Sequence, residues 1–244
     1  MKKFLIALQF LTTLPVKIKG EIKDEYYGRA LLYFPLAGLV IGIVLALTAS
    51  IFSFLPNLVT GAFILLASIL ITGGMHLDGL ADTCDGFYGS QSKIRILEIM
   101  RDSSVGAMGI IGVAAVLIIK FTLFVTIRHE LLWKVLIMSA VFSRWAQALA
   151  CNMALYPRKE GKAISFIKYA KKKDVVLAGL FTAVIFFIMA GIKAIPLFIV
   201  NTVPVLLMIN YSKRKIGGMT GDTIGATSEI AELAVLFFSL IVLG

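Results

Sequence analysis

From Ala30 to Met75 the chain carries no Asp, Glu, Lys, Arg or His. A soluble domain would have to bury that whole stretch, whereas hydrocarbon solvates it. A Pro56-Asn57 turn divides it into segments near 31–55 and 58–75, each close to the ~20 residues a helix needs to cross a bilayer. Five further apolar segments follow, near 105–127, 131–151, 175–192, 194–211 and 229–243. Hydrophobic residues make up 59% and charged residues 16%, where soluble domains have roughly 45–50% (glycine included) and 25%. A mean hydropathy of +0.94 leaves too little polar surface to cover a globule. The pattern predicts an all-α, polytopic membrane helix bundle of about seven transmembrane helices, one domain over residues 1–244. Lys2–Leu8 resembles the start of a signal peptide but lacks a small-residue cleavage site, which predicts an interfacial or re-entrant helix. Cys84 and Cys151 form neither a disulfide framework nor a metal-ligand spacing.

Orientation follows from Lys and Arg in alternate loops. Segments 1–30, 76–104, 152–175 and 212–228 hold 19 of the 24; the opposite loops hold three, Arg128, Lys134 and Lys193. This asymmetry predicts a cell-membrane protein with its N-terminus and its basic segments in the cytoplasm, and it accounts for most of the +10 net charge. Lys120 and Arg144 fall inside predicted spans, Lys120 near an outer end from which it could snorkel to the surface. No basic patch interleaved with aromatics points to nucleic acid. The lipid bilayer is the expected partner, and a homo-oligomer is compatible with the pattern.

Loop bias does not govern Asp and Glu, so their placement is separate information. Of 14, all but Glu130 fall on the predicted cytoplasmic side or at a cytoplasmic span end. In Gly73–Gly86, Asp78, Asp82 and Asp85 stand at i, i+4 and i+7, within roughly 60° of one helix face. Three carboxylates so placed repel and raise one another's pKa unless a cation lies between them. Oxygen-only donors on the cytoplasmic side point to Mg²⁺, with Mn²⁺ as the alternative. A solvated helix end would explain one such aspartate more easily than three. His76 reads equally as a phosphate ligand, an acid/base or a structural residue.

Downstream, Ser92–Asp102 predicts a short amphipathic helix with Ile94, Leu97 and Met100 on one side and Arg95, Glu98 and Asp102 on the other. Arg101-Asp102 precedes the small residues Ser103–Gly109, where the start of the third span offers backbone N–H groups to an anion. Arg144, about 10 Å inside the fourth span, needs an anionic partner or a substrate phosphate. In the last cluster, Gly217, Gly218, Gly221 and Gly225 form a loop able to approach a ligand closely, with Asp222 on it. Glu229 and Glu232 share one face of the following helix, which Thr227 or Ser228 could cap.

With these residues in view, the chain resembles the cobalamin synthase family, the adenosylcobinamide-GDP ribazoletransferases, nearly end to end. The likeness rests on Phe10–Pro15, Phe34-Pro35-Leu36, the aspartate motif Gly73–Gly86, Glu98–Ser103, Ser143-Arg144 and the glycine-rich Gly218–Ala226. It implies transfer of the cobinamide phosphate of adenosylcobinamide-GDP to α-ribazole or its 5′-phosphate, with release of GMP and with Mg²⁺ as cofactor. Asp82-x-x-Asp85-Gly86 is also similar to the CDP-alcohol phosphotransferase signature. The Ala-Arg that follows there is absent here, and the later acidic repeat is at best echoed by Glu98-x-x-x-Asp102, so the choice of base does not carry over.

In that reaction a ribose hydroxyl attacks phosphorus and GMP leaves, a transfer that depends on positioning and charge neutralisation. The expected roles are Asp78 and Asp82 as metal ligands, Asp85 as ligand or general base, and Asp222 with Glu229 as ligands from the second cluster. Arg101 and Arg144 would meet phosphate oxygens, with Lys93, His76, Asp102 and Gly221 also at the substrate. The rival reading is an ion-coupled transporter whose pathway is lined by Arg144 and a broken 194–211 helix. That rival predicts acids deep within the spans rather than gathered at one face.

Overall fold

A computed structural model describes residues 1–161 and 163–244, with no strand among them; Lys162, one of the basic residues counted above, lies outside the described residues. The helices are α1 (Lys2–Leu11), α2 (Glu25–Ala30), α3 (Phe34–Ile51), α4 (Asn57–Thr72), α5 (Met75–Gly89), α6 (Lys93–Ile99), α7 (Ala107–Thr126), α8 (His129–Met153), α9 (Ile164–Lys168), α10 (Lys172–Ala190), α11 (Ala194–Ile216) and α12 (Gly221–Leu243). By length and composition four stretches can cross a membrane: Glu25–Ile51, Ala107–Thr126, Lys172–Ile216 and Gly221–Leu243. The bent pair α4 and α5 makes a fifth if taken as one span. Exposed apolar side chains such as Leu47, Leu66, Ile118, Ile188 and Leu207 cover these helices, as hydrocarbon contact requires and water does not favour.

α8 is not in that set, because it carries Ser139, Ser143, Arg144 and Gln147 among its apolar residues. It is instead the centre of the bundle, buried without a break from Val135 to Ala148, with α3, α10 and α12 packed around it. A helix enclosed on all sides needs no polar face toward solvent. Its polar residues therefore mark internal contacts.

The second predicted span ends where Gly73 and Gly74 take up φ of +63° and +68°. Their N–H groups bond back to Leu70 and Ile69 carbonyls, closing α4 in a left-handed cap that side chains would strain. The chain leaves it turned by 88°, and this turn starts α5, the aspartate helix.

Three local expectations are corrected. α12 begins at Gly221 rather than near 229, because Thr220 accepts the N–H of Thr223 while the Thr223 hydroxyl accepts that of Thr220. This capping box places Asp222 in the first turn of α12 instead of on a loop. α11 runs unbroken through Pro204. α6 buries Ile96 and Met100 against Phe87 and Ile216 while Ile94 is 72% exposed; so short a helix takes its buried side from its neighbours more than from its own periodicity.

Candidate active site

α5 packs against the start of α12. A Cβ on Gly79 would stand 2.8 Å from the Asp222 carbonyl oxygen, so glycine is what allows the first turn of α12 to lie on α5. The approach brings Asp222 beside Asp78 and Asp82. Asp78 is exposed and the other two are half-buried. Burial first, and then the charges of Asp222 and Asp78, push the Asp82 carboxyl up to about 7. Arg158, from the segment after α8, donates from Nη1 to Asp222 Oδ2 at 2.9 Å, and the Thr220 hydroxyl donates to the same oxygen at 3.2 Å.

Asp85 is held differently. Its Oδ2 accepts the N–H of Gly106 at 2.7 Å and its Oδ1 that of Gly109 at 2.8 Å. The N–H groups at the start of α7, open to an anion on sequence grounds, thus receive this carboxylate. Asp85 ties α5 to α7, and both of its oxygens are engaged in doing so. Among the described residues no three His, Cys, Asp or Glu side chains converge to metal-binding spacing.

Behind Asp78 and Asp222 lies a cavity of about 280 Å³. Phe10, Phe34, Phe166 and Tyr156 contribute its aromatic lining, His76 and Gln147 its buried polar groups, and Gly221 and Arg158 join the carboxylates. His76 is 2% exposed, and among the described residues neither ring nitrogen has a hydrogen-bond partner; Gln147 Oε1 and Arg158 Nε and Nη2 likewise find none there. Buried polar groups left unpaired are costly and uncommon, so such groups around one cavity mark a place built to meet a ligand.

Other expected site residues fall elsewhere. Arg101 and Asp102 line a separate, open hollow of about 590 Å³ together with Asp85, Arg95 and Glu98. There Asp102 Oδ1 accepts from the Ser104 N–H and hydroxyl, which holds the Asp102 carboxyl below its usual range. Lys93, exposed, places its ammonium beside Gly217 at the end of α11.

Glu229 and Arg144 are corrected most. Glu229 does not join Asp222: its Oε2 accepts from Lys120 Nζ at 2.6 Å inside the bundle. Lys120 does not snorkel; it is 3% exposed and also donates to Glu232 Oε2 at 2.5 Å. Arg144, fully buried, donates from Nη1 to Glu232 Oε1 at 2.7 Å and to the Ser143 and Ser228 hydroxyls. Two cations and two carboxylates from α7, α8 and α12 thus neutralise one another in the interior. Not all the acids gather at one face.

Arg158 and Gln147 went unnoticed in the sequence. Arg158 is one of several basic residues in its loop and nothing local sets it apart, and Gln147 sits on a helix whose other residues are mostly apolar. Phe10 and Phe34 were visible only as members of the segments that carry the resemblance.

A family model described as cobalamin-5-phosphate synthase matches residues 3–240. Among similar proteins named adenosylcobinamide-GDP ribazoletransferase, that of Clostridium acetobutylicum is 34% identical over 97% of this chain and 98% of its own length. That of Clostridium novyi is 34% identical over 96% and 94%. The Acinetobacter baumannii protein is 36% identical over 97% and 96%. No solved structure matches the chain.

Proposed function

The chain belongs to the cobalamin-5-phosphate synthase family, and from that membership we infer that it is an adenosylcobinamide-GDP ribazoletransferase, acting at the last stage of cobalamin synthesis. The substrates are adenosylcobinamide-GDP and α-ribazole or its 5′-phosphate. A ribose hydroxyl oxygen forms a bond to the phosphorus on the cobinamide arm, the phosphoanhydride bond breaks, and GMP leaves. One domain spanning the chain carries the reaction. The observation that supports it best is the meeting of Asp78, Asp222 and Arg158 on one cavity, with Asp82 feeling the charge of both carboxylates.

The donor set fits a hard divalent cation. Carboxylates from two helices repel across a small gap, and Mg²⁺ keeps several waters, so it needs few direct protein ligands. Asp78 and Asp222, which share the cavity mouth, would hold it with Asp82 beside them, Mn²⁺ being the alternative, and it would supply neutralisation of phosphate charge and acidification of the attacking hydroxyl. Asp85, its oxygens turned to α7, positions the helix. Arg158 anchors Asp222 through Nη1 and presents Nε and Nη2 to phosphate oxygens. A carboxylate of the cluster takes the proton of the ribose hydroxyl.

The direct test is GMP release from adenosylcobinamide-GDP by the purified protein in the presence of α-ribazole; no release above the uncatalysed rate rejects the assignment. Activity is expected to vanish on chelation and return with Mg²⁺ or Mn²⁺. Asp82→Asn is expected to raise the Mg²⁺ concentration needed for half-maximal rate, whereas Asp85→Asn leaves it unchanged. Full activity in metal-free buffer would remove the cation from the mechanism.

The membrane arrangement we propose has seven crossings: α3, α4, α7, α8, α10, α11 and α12. Lys172–Ile216, at 45 residues, far exceeds the ~20 that one crossing uses, and Gly191 with φ +57° breaks it in two. α8 crosses with its polar residues satisfied inside. The loop charges place α5, Arg158 and Asp222 on the cytoplasmic side of the cell membrane. A cysteine at Lys159 should then react with impermeant thiol reagents only from the cytoplasm, and one at Glu130 only from outside. Labelling of both from one side would contradict seven crossings.

The buried charges of α7, α8 and α12 are what a transporter would need. They are paired, however, and α11 is unbroken.

A further inference from the structure

Phe10–Pro15 and Phe34–Leu36 carry part of the family resemblance, yet they hold no charged group, the hydroxyls of Thr12 and Thr13 donate to backbone carbonyls, and the proposed reaction gives them no role. The fold brings them together. Ring centroids of Phe10 and Phe166 lie 4.5 Å apart, those of Phe34 and Phe166 5.5 Å, and those of Phe10 and Phe34 6.2 Å. The three rings form an aromatic wall of the cavity behind Asp78 and Asp222. The same cavity is lined by His76 and Gln147, each 2% exposed, with both imidazole nitrogens and the amide oxygen unpartnered among the described residues.

We propose that this cavity seats the base of the ribazole substrate: a planar, bicyclic nitrogen heterocycle stacked on the Phe10–Phe34–Phe166 wall, its free ring nitrogen accepting a hydrogen bond from the His76 ring N–H, its sugar left at the carboxylate mouth. The assignment rests on the ribazoletransferase reading. Size excludes the corrin, since about 280 Å³ falls just below the roughly 300 to 1,000 Å³ of pockets that take drug-sized ligands. Polarity excludes guanine, which presents donors and acceptors around most of its edge and would need a partner for each. An alkylated benzimidazole has one free ring nitrogen and an otherwise hydrocarbon edge, matching aromatic walls with two buried polar side chains. Placement agrees as well. With the base inside, the ribose stands among Asp78, Asp222 and Arg158, where its hydroxyl must lose a proton.

The test measures GMP release by the purified full chain, varying each substrate at saturation of the other. Free dimethylbenzimidazole should compete with α-ribazole and not with adenosylcobinamide-GDP. Ala163→Leu, which fills the cavity, and Phe166→Ala, which removes a stacking ring, should each raise the KM for α-ribazole about tenfold or more. The KM for adenosylcobinamide-GDP should stay within about twofold. A rise confined to the KM for adenosylcobinamide-GDP would overturn the proposal in favour of the guanine end. Unchanged values for both substrates would overturn it outright. If the variants fail to fold, the competition experiment decides on wild-type protein alone. Absence of GMP release by wild type would instead reject the reaction, and equilibrium dialysis of α-ribazole against wild type and Ala163→Leu would still decide what the cavity holds.

Discussion

Asp78→Asn is expected to insert and fold as the wild type does and to lose at least ~100-fold in turnover, the scale of removing one charge-stabilising catalytic group. Asp78 is the exposed member of the carboxylate cluster and lines the cavity; among the described residues no hydrogen bond depends on its charge, so the substitution removes chemistry and leaves packing alone. It also lifts one of the negative charges that hold the Asp82 carboxyl near 7, so the variant should be no less stable than its parent. The measurement is GMP release at matched expression, beside thermal unfolding. Wild-type turnover with an intact fold would remove Asp78 from the site, and with it the case for a cation at this end of α5.

The legible and illegible parts of this molecule divide by how far each inference had to reach across the chain. The positions of most apolar helices could be read because hydropathy is a local sum, and the two carboxylate clusters because their glycines and spacings are local. That Asp222 meets Asp78 and Asp82 was implied by chemistry, since isolated carboxylates at a membrane face have no reason to cluster. Their division from Asp85 was not visible, because it depends on how far the start of α7 slides toward α5. Glu229 was misjudged for a related reason. Its partner Lys120 lies on another helix more than a hundred residues away, and only the rotation of α7 and α12 about their axes decides whether the two meet or one turns to lipid. Arg144 showed the need for an anion but not which anion. Phe10, Phe34 and Phe166 come from three segments with no shared periodicity, so nothing short of the fold could place them on one wall.

Glu232 should prove the residue on which the interior depends most. Its Oε1 accepts from Arg144 and from the Ser143 hydroxyl, and its Oε2 from Lys120, so one carboxylate bridges two cations that are 0% and 3% exposed. Glu232→Gln would leave Glu229 alone against both, with Arg144 out of its direct contacts. Breaking a buried pair in this way costs about 3–5 kcal/mol, a large part of the roughly 5–15 kcal/mol that holds a domain folded. Glu229→Gln should cost less, because Glu232 still reaches both partners. The sharper test is Glu232→Gln combined with Arg144→Met, which restores charge balance around Lys120 and Glu229 and should recover most of the lost stability. Thermal unfolding of the purified variants would measure each step. If Glu232→Gln is as stable as wild type, or if the second substitution adds to the damage instead of relieving it, then the quartet does not act as a unit and Arg144 is held by something other than this carboxylate.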